Sequence, residues 1–258
     1  MTSGMTSGSI DKALAVLEAL AQHSRLADIA ADTGLAKSTV HRILQSLVGW
    51  GFARADGNGG YLPGPRILTL AGRVMNRFDP VRHAAPALRD LRDTTGLPVH
   101  FAIRNGDEAV YVEKLEGSRP YQMRSRIGMS IPLHTTAIGK AVLAHLPPAE
   151  VTDIVARTGL TRMTEKSITS VAALHRQLDV ARERGYSVDA GENDPGICCL
   201  GAAVFDHTGA VMGGVSVSAL SFDLELDDPL LIAAVTEAAR AASLALGMPP
   251  ERIPVPPA

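Results

Sequence analysis

Thiols are almost absent from this sequence: of 258 residues only Cys198 and Cys199 carry one. Two chain neighbours cannot build a disulfide framework, which excludes a small stapled secreted fold and suits a reducing cytoplasm. No Cys-x-x-Cys and no closely spaced histidine pair offers structural metal ligands, so neither a metal nor a cofactor is expected. No apolar run reaches the roughly 18 residues that a membrane span requires. The opening "MTSGMTSGSID" has no basic n-region and no apolar h-region, so it is not a secretory signal and residues 1–8 read as a disordered polar tail. A net charge of only −2 argues against a nucleic-acid partner until the chain is divided. Residues 1–77 hold eight Lys/Arg against five Asp/Glu, and the remainder seventeen against twenty-two. The two parts therefore face different partners, the N-terminal one basic and the C-terminal one acidic.

What is present is an ordinary globular composition, 46% hydrophobic and 20% charged, at a length comfortable for two domains. Apolar residues recur at helical spacing from Ile10 to Ala21, with Ser9 placed to cap that helix. A short helix over about residues 27–33 stops at Gly34, and a third begins near Lys37. Two short helices about a Gly-containing turn form a helix-turn-helix, with Ala30 small enough for close helix approach. Two strands, Phe52 to Ala55 and Tyr61 to Leu62, flank the tip "DGNGG" and make a wing. A further helix opens at Pro65 and ends before Asp79 and Pro80, a linker and domain boundary.

In the third helix, "GLAKSTVHRILQSL", residues Val40, Ile43, Leu44, Leu47 and Val48 form one apolar stripe. Ser38, His41, Arg42, Gln45 and Ser46 lie opposite or beside it, either as a solvated face or as a face that reads DNA.

The second half alternates. A helix near residues 81–95 precedes strands "PVHFAIR" and "AVYVEKL" joined by "NGDE". A helix starting near Thr136 is stopped by Pro147, and helices follow over about 149–157 and 170–184. Strands "YSV", "CCLGAAVF" and "AVMGGVSVSAL" come next, then a helix over about 228–246 and a Pro-rich tail over 249–258. Antiparallel strands with helices to one side predict an α+β sensor-like domain. Ser216 and Ser218, two apart on a strand, share a face. The start of the "TAIGK" helix offers backbone N–H groups suited to a carboxylate.

Five collinear segments carry a resemblance: "SIDKALAVLEALA", "LADIAADTGLAKSTVHRILQSL", "GFARADGNGGYLPGPRIL", "PLHTTAIGKAVLAHLP" and "GYSVDAGENDPGICCLGAAVFDHTGAVMGGVSVS". Together they resemble the IclR family of bacterial transcriptional regulators over about residues 9–248. The resemblance implies a winged helix-turn-helix over 9–64, a linker helix over 65–79 that pairs protomers, and a GAF-like effector-binding domain with an antiparallel sheet over 80–248. It implies a homodimer or homotetramer on a palindromic double-stranded operator that represses or activates a catabolic operon, repression being the expected sign. Under it Arg42 and Gln45 become base readers, with Arg favouring guanine and Gln adenine. Lys37, Ser38 and Thr39 become phosphate holders at a helix N-terminus, unless the hydroxyls merely cap it. His41 and, in the wing, Arg54 become backbone contacts. The effector pocket carries over onto Asp189, Cys199, Ser216 and Ser218 as polar positions, Ala137 and Ile138 at the helix entrance, and Met123, Ile131 and Ile197 as apolar wall. Ile138 is large for its position, so it either narrows the pocket or turns outward. A small organic acid or aromatic carboxylate is the expected effector.

Two rivals use the cysteines. A Cys-dependent hydrolase would combine Cys199, His134 and Asp189 as nucleophile, base and orienter, without the motif context such an enzyme normally shows. A thiol redox sensor would use Cys198 and Cys199, which point to opposite faces of a strand and would form a strained disulfide. No catalytic activity is expected.

Overall fold

The computed structural model describes residues 8–119 and 123–252. The expected tail over 1–8, apart from Gly8, and the tail beyond Arg252 lie outside the described residues. The chain divides into two compact units between Phe78 and Asp79.

The first unit begins with α1 (Ser9–Leu20), α2 (Leu26–Thr33) and α3 (Lys37–Gly49). Ser9 is the first helical residue and not the cap. Gly8 takes that place, and its N–H donates to the Asp11 carboxylate at 2.9 Å, so an acid in the first turn satisfies the helix start. Gly34 ends α2 in the left-handed conformation at φ 66°, which a side chain would resist. Val16, Leu20, Ile29, Val40 and Leu44 are buried together as the core of this unit, with Ala53 and Tyr61 closing it from the wing. The wing strands β1 (Ala53–Ala55) and β2 (Tyr61–Pro63) pair antiparallel, Arg54 opposite Leu62. Asp56 forms the tip by accepting from the Asn58 and Gly60 amides, each at 2.8 Å. Helix α4 (Pro65–Met75) follows with no buried residue.

The second unit runs α5 (Pro80–Thr95), β3 (Val99–Asn105), β4 (Glu108–Leu115), β5 (Ser130–Pro132), α6 (Ala137–Ala144), α7 (Pro148–Thr158), α8 (Val171–Arg184), β6 (Ser187–Asp189), β7 (Ile197–Phe205), β8 (Val211–Leu220) and α9 (Pro229–Ala245). A single 3-10 turn, Pro250–Arg252, lies in the stretch expected as tail. Six strands form one antiparallel sheet in the order β5-β4-β3-β8-β7-β6. Strand β5 was not expected from the sequence: three residues ending in proline give no alternation, and an edge position is where a proline is tolerated.

Helices cover both faces of this sheet, correcting the expectation of one. The register places His100, Ala102, Cys199, Gly201, Gly214, Ser216 and Ser218 on one face, against α6. Val99, Phe101, Leu200, Val215 and Val217 alternate onto the other, fully buried, on the side of α5 and α9. Helix α6 reaches the sheet because small residues meet it. A Cβ on Gly139 would come within 2.4 Å of the Leu133 backbone, and one on Gly201 within 3.2 Å of Ala137. Every residue of α6 is buried, so its position is fixed by packing on all sides.

Candidate functional sites

In the first unit α3 exposes Lys37, Ser38, His41, Arg42 and Gln45, while Thr39 is half-buried. The apolar stripe packs inward, with Val40 and Leu44 at 0% exposure. Ala36 caps α3 without a side-chain bond, so neither Ser38 nor Thr39 acts as the cap. The Thr39 amide donates to Ala36 O at 2.9 Å, but those of Lys37 and Ser38 find no acceptor among the described residues. Two free N–H groups beside a lysine and a hydroxyl are what a phosphate oxygen requires. Gln45 has a partner the sequence reading missed: its Nε2 donates to the Tyr61 hydroxyl at 3.0 Å, tying α3 to the wing. The second amide hydrogen and Oε1 remain for a base edge. Arg54 is exposed on β1 and makes no ion pair among the described residues.

In the second unit all nine sequence-derived pocket residues line one cavity of about 350 Å³: Met123, Ile131, Ala137, Ile138, Asp189, Ile197, Cys199, Ser216 and Ser218. The fold explains the convergence. Ser216 and Ser218 sit on the α6 face of β8, Cys199 pairs with Ser218 across the ladder, and Asp189 pairs with Cys199 from the edge strand β6. Above them, Thr136 caps α6 by accepting from the Gly139 amide at 3.1 Å. The amides of Ala137 and Ile138 then point from the first turn without an acceptor among the described residues. Ile138 turns inward, 1% exposed, and its side chain packs over Gly214 as part of the core while flooring the cavity.

His100, Tyr111 and Ser125 are among the further lining residues and were not found from sequence. The imidazole of His100 lies 2.7 Å from Ser125 Oγ and 3.4 Å from Ser218 Oγ, which in turn lies 3.1 Å from Cys199 Sγ. Burial, then the Lys114 charge, lowers His100 to about 4, so this ring is neutral at physiological pH. Tyr111 packs against it with ring centroids 4.9 Å apart and planes tilted by 40°, and burial pushes the phenol up. A polar residue inside the apolar alternation of "PVHFAIR" was the available signal for His100.

Asp189 is 2% exposed, and its Oδ1 accepts from the amides of Gly191, Glu192 and Asn193 at 3.1, 2.6 and 3.3 Å. Burial raises this carboxyl to about 6 against those bonds and the Lys140 charge, which lower it. Lys140, in the "TAIGK" helix, is also buried. Its ammonium is paired with Glu192 and donates to Gln177 Oε1 at 3.1 Å, bolting the loop after β6 to α6. Thr135 adds a bond to Asn193 Oδ1 at 3.0 Å.

The hydrolase arrangement is not assembled. His134 contacts Thr161 O at 3.0 Å and lines a different cavity from that of Cys199 and Asp189. Burial pushes the Cys199 thiol up, away from the thiolate a nucleophile needs. Cys198 and Cys199 are free thiols on alternate faces of β7.

Two family models match the chain: the IclR helix-turn-helix domain over residues 9–57, and the bacterial transcriptional regulator IclR C-terminal domain over residues 72–244. The transcriptional repressor AllR of Klebsiella pneumoniae is 33% identical over 248 residues, covering 94% of this chain and 91% of the relative. The transcriptional regulator BhcR of Paracoccus denitrificans is 35% identical over 250 residues, covering 95% and 88%. Among solved structures, an IclR transcriptional regulator from Silicibacter sp. TM1040 matches with a TM-score of 0.83 at 25% identity, covering 95% of this chain and 99% of that one. HmgR of Pseudomonas aeruginosa matches with a TM-score of 0.74 at 26% identity, covering 93% and 98%.

Proposed function

This chain belongs to the IclR family of bacterial transcriptional regulators, and on that premise we propose that it is a cytoplasmic repressor of a catabolic operon, controlled by a small carboxylate in the Asp189–Ser218 cavity. One observation carries the ligand reading. Two backbone N–H groups at the start of α6, without an acceptor among the described residues, belong to Ala137 and Ile138, which line a cavity whose wall also carries hydroxyls, a thiol, an imidazole, the Asp189 carboxyl and the exposed Arg124. That arrangement holds a carboxylate by hydrogen bonds and helix polarity, with Met123, Ile131 and Ile197 around its apolar part.

On the DNA side, Arg42 and Gln45 read base edges, Lys37, Ser38 and Thr39 hold phosphate, and His41 and Arg54 touch the backbone. The exposed face of α4, with Leu68, Leu70, Val74 and Met75, supports pairing with a second copy, because a lone amphipathic helix would not leave it uncovered. Paired copies would require a palindromic operator with half-sites about 34 Å apart or a multiple of it.

A thermal-shift screen of small carboxylates on the wild type and on Ser218→Ala tests the ligand reading. A hit that raises the melting temperature of the wild type and loses its effect in Ser218→Ala supports it. A hit insensitive to that change moves the ligand elsewhere.

A further inference from the structure

The cavity proposed for a carboxylate already contains one. Asp189 stands on β6 two residues beyond Ser187, hence on the same face, and the Ser187 hydroxyl donates to Ala137 O at 2.5 Å. Asp189 also lines the same cavity as Ala137 and Ile138 of the first turn of α6, where the ligand's anionic end is placed. Its Oδ1 is occupied by three backbone amides, whereas Oδ2 makes no hydrogen bond among the described residues and is left for the cavity.

Among the described residues, no buried cation stands ready to neutralise a second anion there. Lys140, from α6, is committed to Glu192 and Gln177. Lys166 donates to Ala190 O at 3.1 Å from an exposed position. From the sheet, the groups near Asp189 are Tyr111 on β4 and Cys198 and Cys199 on β7, all uncharged at neutral pH because burial raises them. His100 on β3 is neutral as well. Of the remaining charged lining residues, Arg124 is exposed and Asp194 is half-buried with the wrong sign. Two carboxylates sharing a desolvated site cannot both stay ionised at small cost.

We propose, on the reading that this cavity binds a carboxylate, that each ligand enters with one proton taken from solvent, which Asp189 Oδ2 carries and donates to the ligand's carboxylate oxygen. The balance is one ligand anion plus one proton joining the ionised Asp189 to give a single shared negative charge held by O–H···O⁻ and the α6 amides. Asp189 thus makes the pocket select monocarboxylates. A dianion with a second carboxylate near Asp189 would need a further proton. Burial raises the unliganded carboxyl to about 6, an added anion moves it higher, and binding should weaken as pH rises above that value.

Calorimetric titration of the full chain with acetate, pyruvate and benzoate, each at pH 7.5 in buffers of differing ionisation enthalpy, measures the proton directly. The expected result is uptake of about one proton per bound acid, with affinity falling about tenfold per pH unit above 6. Benzamide, the neutral counterpart of benzoate, should bind without uptake. Asp189→Asn keeps an oxygen for the three loop amides, and it should bind benzoate without uptake and without pH dependence. Wild-type binding with no proton uptake overturns the proposal even if the variant fails to fold, and leaves the carboxylate pocket standing. Absence of binding by all three acids overturns both.

Discussion

Gln45 Nε2 and the Tyr61 hydroxyl, 3.0 Å apart, join the exposed face of α3 to the second strand of the wing. On the proposed reading, one residue both holds the wing and meets a base. The two roles separate by mutation. Tyr61→Phe removes only the tether, a net loss of about 0.5–1.5 kcal/mol, and should weaken operator binding evenly across sequences. Gln45→Ala should also relax preference at one base pair. Binding profiles over a randomised operator library check both, and an unchanged profile for Gln45→Ala would remove it from the readers.

Arg42 is exposed on the same face one turn earlier. Arg42→Ala should cost about 1–3 kcal/mol and flatten preference at one position, whereas Lys37→Ala should weaken all sequences alike and lower the salt slope by about one. Anisotropy titrations at several salt concentrations distinguish these. Equal salt slopes for wild type and Lys37→Ala would deny the phosphate role.

Beneath the ligand cavity, Lys140→Met leaves Glu192 buried without its cation, and Glu192 Oε2 already lacks a partner among the described residues. Breaking one side of a buried pair costs about 3–5 kcal/mol, while replacing both sides with apolar groups is often neutral. Chemical denaturation should therefore show Lys140→Met strongly destabilised and Lys140→Met/Glu192→Leu largely restored. A double variant as unstable as the single would mean that the pair does more than fill its own site.

Two buried histidines make the second unit sensitive to acid. His100 and His145 are both lowered to about 4, chiefly by burial and then by the Lys114 and Arg182 charges respectively. The unfolded chain takes up these protons near 6.5, before the folded one does. Their contribution is fully present above that pH and is lost as pH falls toward 4, up to about 3 kcal/mol each. Asp189, raised to about 6, acts oppositely, because its folded form gains stability as pH falls through that range. Two groups outweigh one, so the melting temperature should fall between pH 6.5 and 4.5. His145→Phe, which keeps a ring against Phe205, should reduce that fall, and an unchanged pH profile would refute the assignment.

The helices, the wing and the main strands were legible because each carries a period or a stop signal, such as Gly34 after α2 or Pro147 after α6. Strand β5 was not, since three residues cannot display alternation. The apolar stripe of α3 was visible in the sequence, but the Gln45–Tyr61 bond was not, because it joins residues sixteen apart through a turn whose geometry depends on Asp56. The nine cavity residues came from family resemblance more than from chemistry. Spacing alone linked only Ser216 with Ser218, and nothing local ties Asp189 to Ala137. His100, Tyr111 and Ser125 were missed because they reach the cavity from β3, β4 and the segment before β5, where the ladder and not the local sequence decides which face they share. Lys140 and Glu192 escaped for the same reason: a lysine within "AIGKAVLA" reads as a solvent residue until the helix is seen buried on every side.

The central claim is that a carboxylate in the Asp189–Ser218 cavity controls DNA binding. Its most direct test is operator affinity of the full chain, on DNA selected from a random pool, with and without a carboxylate that shifts the melting temperature. Wild-type affinity should change about 5- to 150-fold, and the change should be abolished in Ser218→Ala while that variant binds unliganded DNA normally. An affinity that stays the same at saturating carboxylate, or one that changes equally in Ser218→Ala, would contradict it.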